Sequence, residues 1–380
     1  MVLITNTYLI QMKKNIIFDF MTAAAAIFIV SACSKGKYFA FENVEFVAGF
    51  PIEYSPQNPE VLDVNVIGVQ GIKVFDDFIL VACTDSDGCL SAFDKDGKRL
   101  SRSFLKIGRG PGEVLYKPFI SWFDFYRSGT GNILAGIYDN KGKYIEYDIT
   151  ASIAANVIRW RCLADSLRMD SGPDYSLIAD DKFMCRRVKE NRGGYERYIV
   201  DGRSVCSCNQ AMEYLNSFSS AELNMYSTAI LVNNEKSLVA ELGSRLNVVH
   251  VYSLTSHLAK TISLKSHLED VNTEENKEPD QMCKIYYDAE KFDDYFVGLY
   301  VGDTFENLDR GSFRIPQLHF FSWEGKPLAK LQLPIRTLSF AIDQTEGELY
   351  LVEYNTEKIL RYDISDFLRQ IHGKVSTIDN

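Results

Sequence analysis

The sequence predicts an all-β chain, a six-bladed β-propeller behind a secretory signal and a short tether. Two observations predict the ring. A short strand that closes on an aromatic or β-branched residue and a turn returns six times, and 21 tyrosines and 24 phenylalanines supply broad side chains for filling wedges between radially packed sheets. A third observation predicts export: a lysine pair and an apolar run close on Val30-Ser31-Ala32-Cys33. One blade cannot bury both of its faces, whereas blades packed face to face around an axis can. A β-sandwich is the competing all-β fold, but it does not ask for six similar units.

Residues 1–32 read as the signal. Lys13 and Lys14 supply its positive region, and Ile16 to Val30 its apolar core, broken only by Asp19. Met12 is a better start than Met1, because it places the lysines at the terminus. The run is short for a bilayer span of about 20 residues. Its ending resembles a bacterial lipobox, in which the cysteine is diacylated and becomes the first residue. This lipoprotein signal peptide implies a lipid anchor at Cys33 in place of a spanning helix. Residues 33–59 are then a lipid-anchored tether with a possible closing strand, since Phe41-Glu42-Asn43-Val44-Glu45-Phe46 alternates in character. A ring must hide two open edges where its first and last blades meet. Residues 41–49 or 61–67 are the two candidates for that outer strand.

The propeller is expected over residues 60–368. Ile79-Leu80-Val81-Ala82 is a strand, Asp85-Ser86-Asp87-Gly88 a turn, Leu90-Ser91-Ala92-Phe93 a strand and Asp94-Lys95-Asp96-Gly97 a second turn. Glycine accepts the positive φ of such turns, and aspartate accepts hydrogen bonds from nearby backbone N–H groups. Ala92-Phe93-Asp94 is echoed by Glu146-Tyr147-Asp148, Ile199-Val200-Asp201, Val251-Tyr252-Ser253, Phe320-Phe321-Ser322 and Arg361-Tyr362-Asp363. A second strand stands upstream of most of them, as at Ile133-Leu134-Ala135 and Tyr295-Phe296-Val297. The interval before the fifth phrase is the longest. It holds the acidic stretch 269–280, read as a solvated loop without the glycine spacing of a calcium hand. A second insertion runs over 302–311, residues 209–226 suggest a short helix, and 369–380 read as a flexible tail.

The net charge of -10 argues against a nucleic-acid partner, which wants a basic face. Of the eight cysteines, Cys83 and Cys89 flank a turn and are placed to pair across a hairpin, although free or structural thiols are the favoured expectation. Cys206-Ser207-Cys208 is too tight for a usual bridge. Neither the cysteines nor the histidines show zinc spacing.

Ile107-Gly108-Arg109-Gly110-Pro111-Gly112-Glu113 is the sharpest local signature. It lacks the Gly-Lys-Ser/Thr ending of a phosphate-binding loop, and no long helix pattern follows it. Three glycines and a proline prescribe a stiff irregular turn. Arg109 and Glu113 are the ligand-binding candidates: the turn aims both toward one end of the ring, where Arg109 suits a carboxylate or phosphate. Alternatively the two form a structural ion pair that holds the crossover between blades one and two.

Together the lipobox, the blade ending Phe93-Asp94-Lys95-Asp96-Gly97-Lys98 and the segment Ile107 to Glu113 resemble a family of Bacteroidetes lipoproteins, the six-bladed or TolB-like β-propellers. The resemblance covers most of the mature chain. It implies the propeller fold and a binding platform, although some lactonases and lyases use the same ring. The residues after Cys33, Ser34-Lys35-Gly36-Lys37, lack the acidic run associated with surface export in such bacteria. The periplasmic face of the outer membrane is therefore expected.

No catalytic set is recognisable. Gly-x-Ser-x-Gly is absent, and nothing marks an acid, a base or a nucleophile. The expected function is a non-enzymatic binding or scaffold module for a protein or glycan at the cell envelope, with no cofactor. The alternative is a metal-assisted, lactonase-like hydrolase or lyase with its site in the central channel. Asp76, Asp180, Asn233 and Asp343 each stand near the start of an expected blade and are its candidate ligands for calcium, with Arg109 as an anion clamp. Ordinary turn positions also account for these residues.

Overall fold

The computed structural model describes residues 36–85, 88–101, 103–139, 141–164, 174–179, 182–190, 193–201, 204–206 and 208–376. The signal, Cys33 and Asp180 lie outside the described residues. Among the described residues the strands form six sheets, one per blade. Blade 1 holds Gly71–Val74, Ile79–Asp85 and Gly88–Phe93. Blade 2 holds Asp124–Arg127, Ile133–Tyr138, Tyr144–Asp148 and Trp160–Ala164, and blade 3 holds Asp174–Ala179, Lys182–Val188, Tyr195–Asp201 and Ser204–Cys206. Blade 4 runs through Thr228–Asn233, Leu238–Gly243, Val249–Ser253 and Ala259–Ser263. Blade 5 runs through Cys283–Lys291, Tyr295–Thr304, Gln317–Ser322 and Pro327–Gln332. Blade 6 has Thr337–Asp343, Glu348–Glu353 and Ile359–Asp363.

Each of the six phrases closes the third strand of its blade. The polar residue at the end caps the turn. Asp94 Oδ1 accepts from the N–H groups of Asp96 (3.1 Å) and Lys98 (2.8 Å), and Ser253 Oγ from those of Thr255 (3.1 Å) and Ser256 (2.9 Å). The long fifth interval hides no further blade. It is taken up by residues 264–282, by the long hairpin of Cys283–Lys291 with Tyr295–Thr304, and by a helical turn at Phe305–Asp309. Part of the acidic stretch is not loop: Val271–Glu275 is helical, and Val271 is fully buried. The helix suggested within 209–226 is present as Gln210–Asn216.

Closure is made by Glu60–Leu62, antiparallel to Ile359–Asp363 in the register Ile359↔Leu62 and Arg361↔Glu60. Of the two candidate stretches, the later one closes the ring, and the strand starts at the boundary of the tether. Val44–Phe46 instead pairs in parallel with the outer strand of blade 4, and Glu53–Tyr54 with the outer strand of blade 5. The N-terminal segment is thus a belt across the edges of blades 4, 5 and 6, and it covers backbone that an open edge would expose. Its aromatic rings pack inward: Phe41 lies 5.5 Å from the His250 ring and Phe50 4.8 Å from the His319 ring.

The expected flexible tail is corrected over 369–376. Ser365–Ser376 is an α-helix that buries Phe367, Leu368, Ile371 and Val375 against blades 5 and 6. Apolar residues spaced by three and four along one helix face explain it. Cys83 and Cys89 are both buried, unbridged thiols. The ladder slips between Ala82 and Asp85, and the two side chains join different cores, one on each face of the sheet.

Candidate functional site

Alternating strand direction gives the ring two unlike ends. One carries the loops from first to second strands. The other carries the crossovers between blades and the starts of the first strands. The glycine-rich segment belongs to the crossover end, between blades 1 and 2.

Its shape follows from its own residues. The Glu113 carboxylate folds back and accepts from Gly110 N–H at 2.7 Å. A Cβ on Gly108 would stand 2.2 Å from that carboxylate oxygen, so any larger residue there would displace the Glu113 side chain from this turn. Gly112 has a φ of +70° and lies against the Trp160 indole, where a Cβ would come within 2.6 Å. Blade 2 clamps the loop: Lys141 Nζ donates to the carbonyls of Gly110 (2.9 Å) and Glu113 (2.6 Å), and Tyr147 Oη donates to that of Gly112. Glu113 therefore shapes the turn and forms no ion pair with Arg109. Arg109 is exposed and has no hydrogen bond or ion pair among the described residues. Around this segment Ile107, Tyr116, Phe119 and Trp160 are 56, 67, 55 and 40% exposed, an unusual run of large apolar side chains at a surface.

The metal candidates lie at the opposite end, at or just beyond the ends of first strands. Asp76 pairs with Arg127 of blade 2 at 2.7 Å, both half-exposed. Asn233 accepts from Lys236 N–H at 2.9 Å and donates to the Asp293 carbonyl at 3.0 Å. Asp343 accepts from Thr345 N–H at 2.9 Å and pairs with Lys95 of blade 1. These three share a level in the fold, and each ties its blade to the next. Among the described residues no three His, Cys, Asp or Glu side chains gather as a metal site.

Sequence reasoning missed the charged lining of the central channel. Lys73 of blade 1 meets Glu290 of blade 5 at 3.2 Å, and both are largely buried. Asp288 and Glu290 alternate along one strand, so both leave the same face of blade 5, and both act on Lys73. Burial pushes both carboxyls above the usual carboxylate range, with Lys73 pulling the other way. The second Glu290 oxygen is buried without a hydrogen-bond partner. Lys291 of blade 5 reaches Asp124 of blade 2 at 2.9 Å. Blades 2 and 5 stand opposite in a ring of six, so this pair crosses the channel. Asp124 also accepts from Leu177 N–H of blade 3 at 2.8 Å. Chemically, this lining pairs acids with lysines from blades across the channel. The available signal was the alternation of Asp288 and Glu290 beside Tyr286 and Tyr287.

No protein-family profile and no curated protein matches this chain. Among solved structures, it is similar to a member of the DUF4221 family from Bacteroides vulgatus, with 12% identity, a TM-score of 0.48, and 84% of this chain and 97% of that one covered. It is also similar to regucalcin, a calcium-binding protein from Agrobacterium tumefaciens, with 9% identity, a TM-score of 0.44, and 82% and 95% covered. A third similar structure is U3-55K, at 10% identity and a TM-score of 0.40, with 81% and 99% covered. At these scores likeness carries no argument of its own, and the six-bladed architecture rests on the strand pairing.

Proposed function

We propose that this chain is a cell-envelope lipoprotein, anchored through Cys33, whose propeller is a non-enzymatic binding or scaffold module for a protein or glycan. One observation carries the binding role: the exposed run of Ile107, Tyr116, Phe119 and Trp160 beside the unpaired Arg109, on a loop that blade 2 holds rigid. Aromatic side chains and arginine contribute most strongly to recognition surfaces, and a preformed loop loses little entropy on binding. The lipobox and the glycine-rich segment support membership of the TolB-like Bacteroidetes lipoproteins. The short basic sequence after Cys33 supports the periplasmic face of the outer membrane.

Two experiments test this. Intact mass of membrane-extracted protein should show loss of residues 1–32 and added acyl mass, and Cys33→Ser should release the body. An unmodified soluble chain in the native host overturns the anchor. Pull-down from envelope extracts should recover one partner reproducibly, and the triple variant R109A/Y116A/F119A should lose it by at least about tenfold. Failure to recover a partner, together with calcium-dependent turnover of a lactone or glycan fragment, would replace the module with the hydrolase reading.

A further inference from the structure

The crossover end of the ring carries a second, unassigned group of residues, across the ring from Arg109. Arg245 lies in the loop between the second and third strands of blade 4. Lys284 stands near the start of blade 5's first strand, and Arg336 directly precedes blade 6's. Three successive blades thus each bring one cation to the same end of the channel. All three lie against one aromatic cluster. The Arg245 guanidinium stacks 3.8 Å from the Phe305 ring centre, Lys284 Nζ is 5.2 Å from that of Tyr287, and the Arg336 guanidinium is 5.9 Å from that of Phe313. Tyr287, Phe305 and Phe313 pack together in a single satellite core.

None of the three cations has a carboxylate within ion-pair distance among the described residues, although Arg336 Nε donates to the Phe313 carbonyl. Of the nearby acids, Asp288 acts through space on Lys284 but faces Lys73 as well and accepts from Ala289 N–H at 2.9 Å, and two others are committed elsewhere. Asp303, opposite Lys284 in the ladder, accepts from the N–H groups of Thr304 (2.8 Å) and Arg314 (2.7 Å) and from Asn307 Nδ2 (2.7 Å). Glu222 accepts from Asn224 N–H. Arg245 Nη1 is buried with no hydrogen-bond partner at all. A buried guanidinium donor left unsatisfied is costly, and the like charges of Arg245 and Lys284, close enough to act on each other, add to that cost. In an acidic chain this arrangement is unexpected unless an anion completes it.

We propose that Arg245, Lys284 and Arg336 form a binding site for the oxyanion of a small ligand, a carboxylate or a phosphate, with the Tyr287–Phe305 rings as its floor. The guanidinium groups suit a two-pronged contact and Lys284 a point contact. The rings favour a ligand whose anionic group is attached to a body with an apolar face. Burial and the adjacent Arg245 charge hold the Lys284 ammonium down at about 8, which bound anion would reverse.

Two probes separate the sources of such an anion: inorganic phosphate, and glucuronate, which joins a carboxylate to a ring with an apolar face. Calorimetric titration of the full mature chain should show saturable binding of at least one of them. Arg245→Gln and Lys284→Gln should each weaken it by about tenfold or more, and Lys284→Arg should preserve it within about threefold. In parallel, acetylation of Lys284 by acetic anhydride at pH 8, read by peptide mass spectrometry, should slow at least about fivefold when the bound probe is present. Thermal unfolding of each variant checks that the ring is intact. Absence of saturable binding of both probes, or equal binding by wild type and a folded Arg245→Gln variant, overturns the site.

Discussion

Arg197 and Glu241 show how a buried charge is held. Arg197 Nε and Nη2 donate to the two Glu241 oxygens at 2.6 Å each, and Thr228 (2.6 Å) and Tyr252 (2.8 Å) donate to the same carboxylate. Burial alone would raise the Glu241 carboxyl, but Arg197 outweighs it and holds the group down at about 2. Glu241→Ala should therefore cost about 3–5 kcal/mol in urea unfolding, because it strands a buried guanidinium. The pH dependence has a defined sign. Burial lowers His250 and His319 to about 3. The unfolded chain takes up these protons first, so this stability is present above about pH 6.5 and lost as pH falls toward 3. Glu241 adds a loss that sets in below about pH 4.5 and continues toward 2. Asp288 and Glu290 act oppositely, since their raised carboxyls protonate first in the folded state. His319→Phe, among the rings of Phe50 and Tyr300, should flatten the urea midpoint between about pH 6.5 and 4.5. An unchanged slope would show that His319 is not buried neutral. None of these partners is adjacent in sequence, so the pairings were not legible there. Only the residue types were.

At the scale of elements, the glycine-rich loop and the C-terminal helix make separate tests. Gly112→Ala puts a Cβ into a left-handed position 2.6 Å from Trp160, and should destabilise the protein by more than about 1 kcal/mol while lowering partner capture. Arg109→Ala should leave stability within about 0.5 kcal/mol and lower capture alone. Equal destabilisation by both changes would mean that Arg109 has a structural role. Ile371→Ala should cost about 2–5 kcal/mol, since Ile371 is fully buried against blades 5 and 6. A change within about 0.5 kcal/mol would return this segment to a loose tail. Turns were the most legible elements. Asp94, Ser253 and Asp343 accept from backbone within a few residues, so the local sequence contains both partners. The C-terminal helix was legible in principle: Phe367, Ile371 and Val375 recur at every fourth position, but the polar run beyond them masked the pattern.

For the whole molecule, the belt sets how a lipid anchor would hold the ring. Lys37 is pinned to the acidic insertion: its N–H donates to Asp270 at 3.0 Å, and its carbonyl accepts from Val271 N–H at 2.8 Å. Four residues from Cys33 reach at most about 14 Å. If Cys33 is acylated, the insertion beside blade 4 rests near the bilayer and blade 1 faces away. A fluorophore at Glu278→Cys on vesicle-bound protein should be quenched by headgroup-labelled lipid, and one at Lys98→Cys should not. Equal quenching at both positions would contradict a fixed orientation.

Six units, their strand endings and their turns were determined by the sequence alone, because alternation and turn chemistry act over a few residues. Tertiary structure decided which strand closes the ring. Val44–Phe46 and Glu60–Leu62 are both short and mixed in character, and only the edges they meet distinguish them. It also decided the sites. Asp76, Asn233 and Asp343 do share one level of the fold, yet each is taken by its own turn or by the next blade. Lys73 meets Glu290 only when blades distant in sequence share an axis, and Arg245, Lys284 and Arg336 reach one aromatic cluster only when three successive blades close around it. Charge acts through space, and the path of the chain through six blades determines which charges become neighbours.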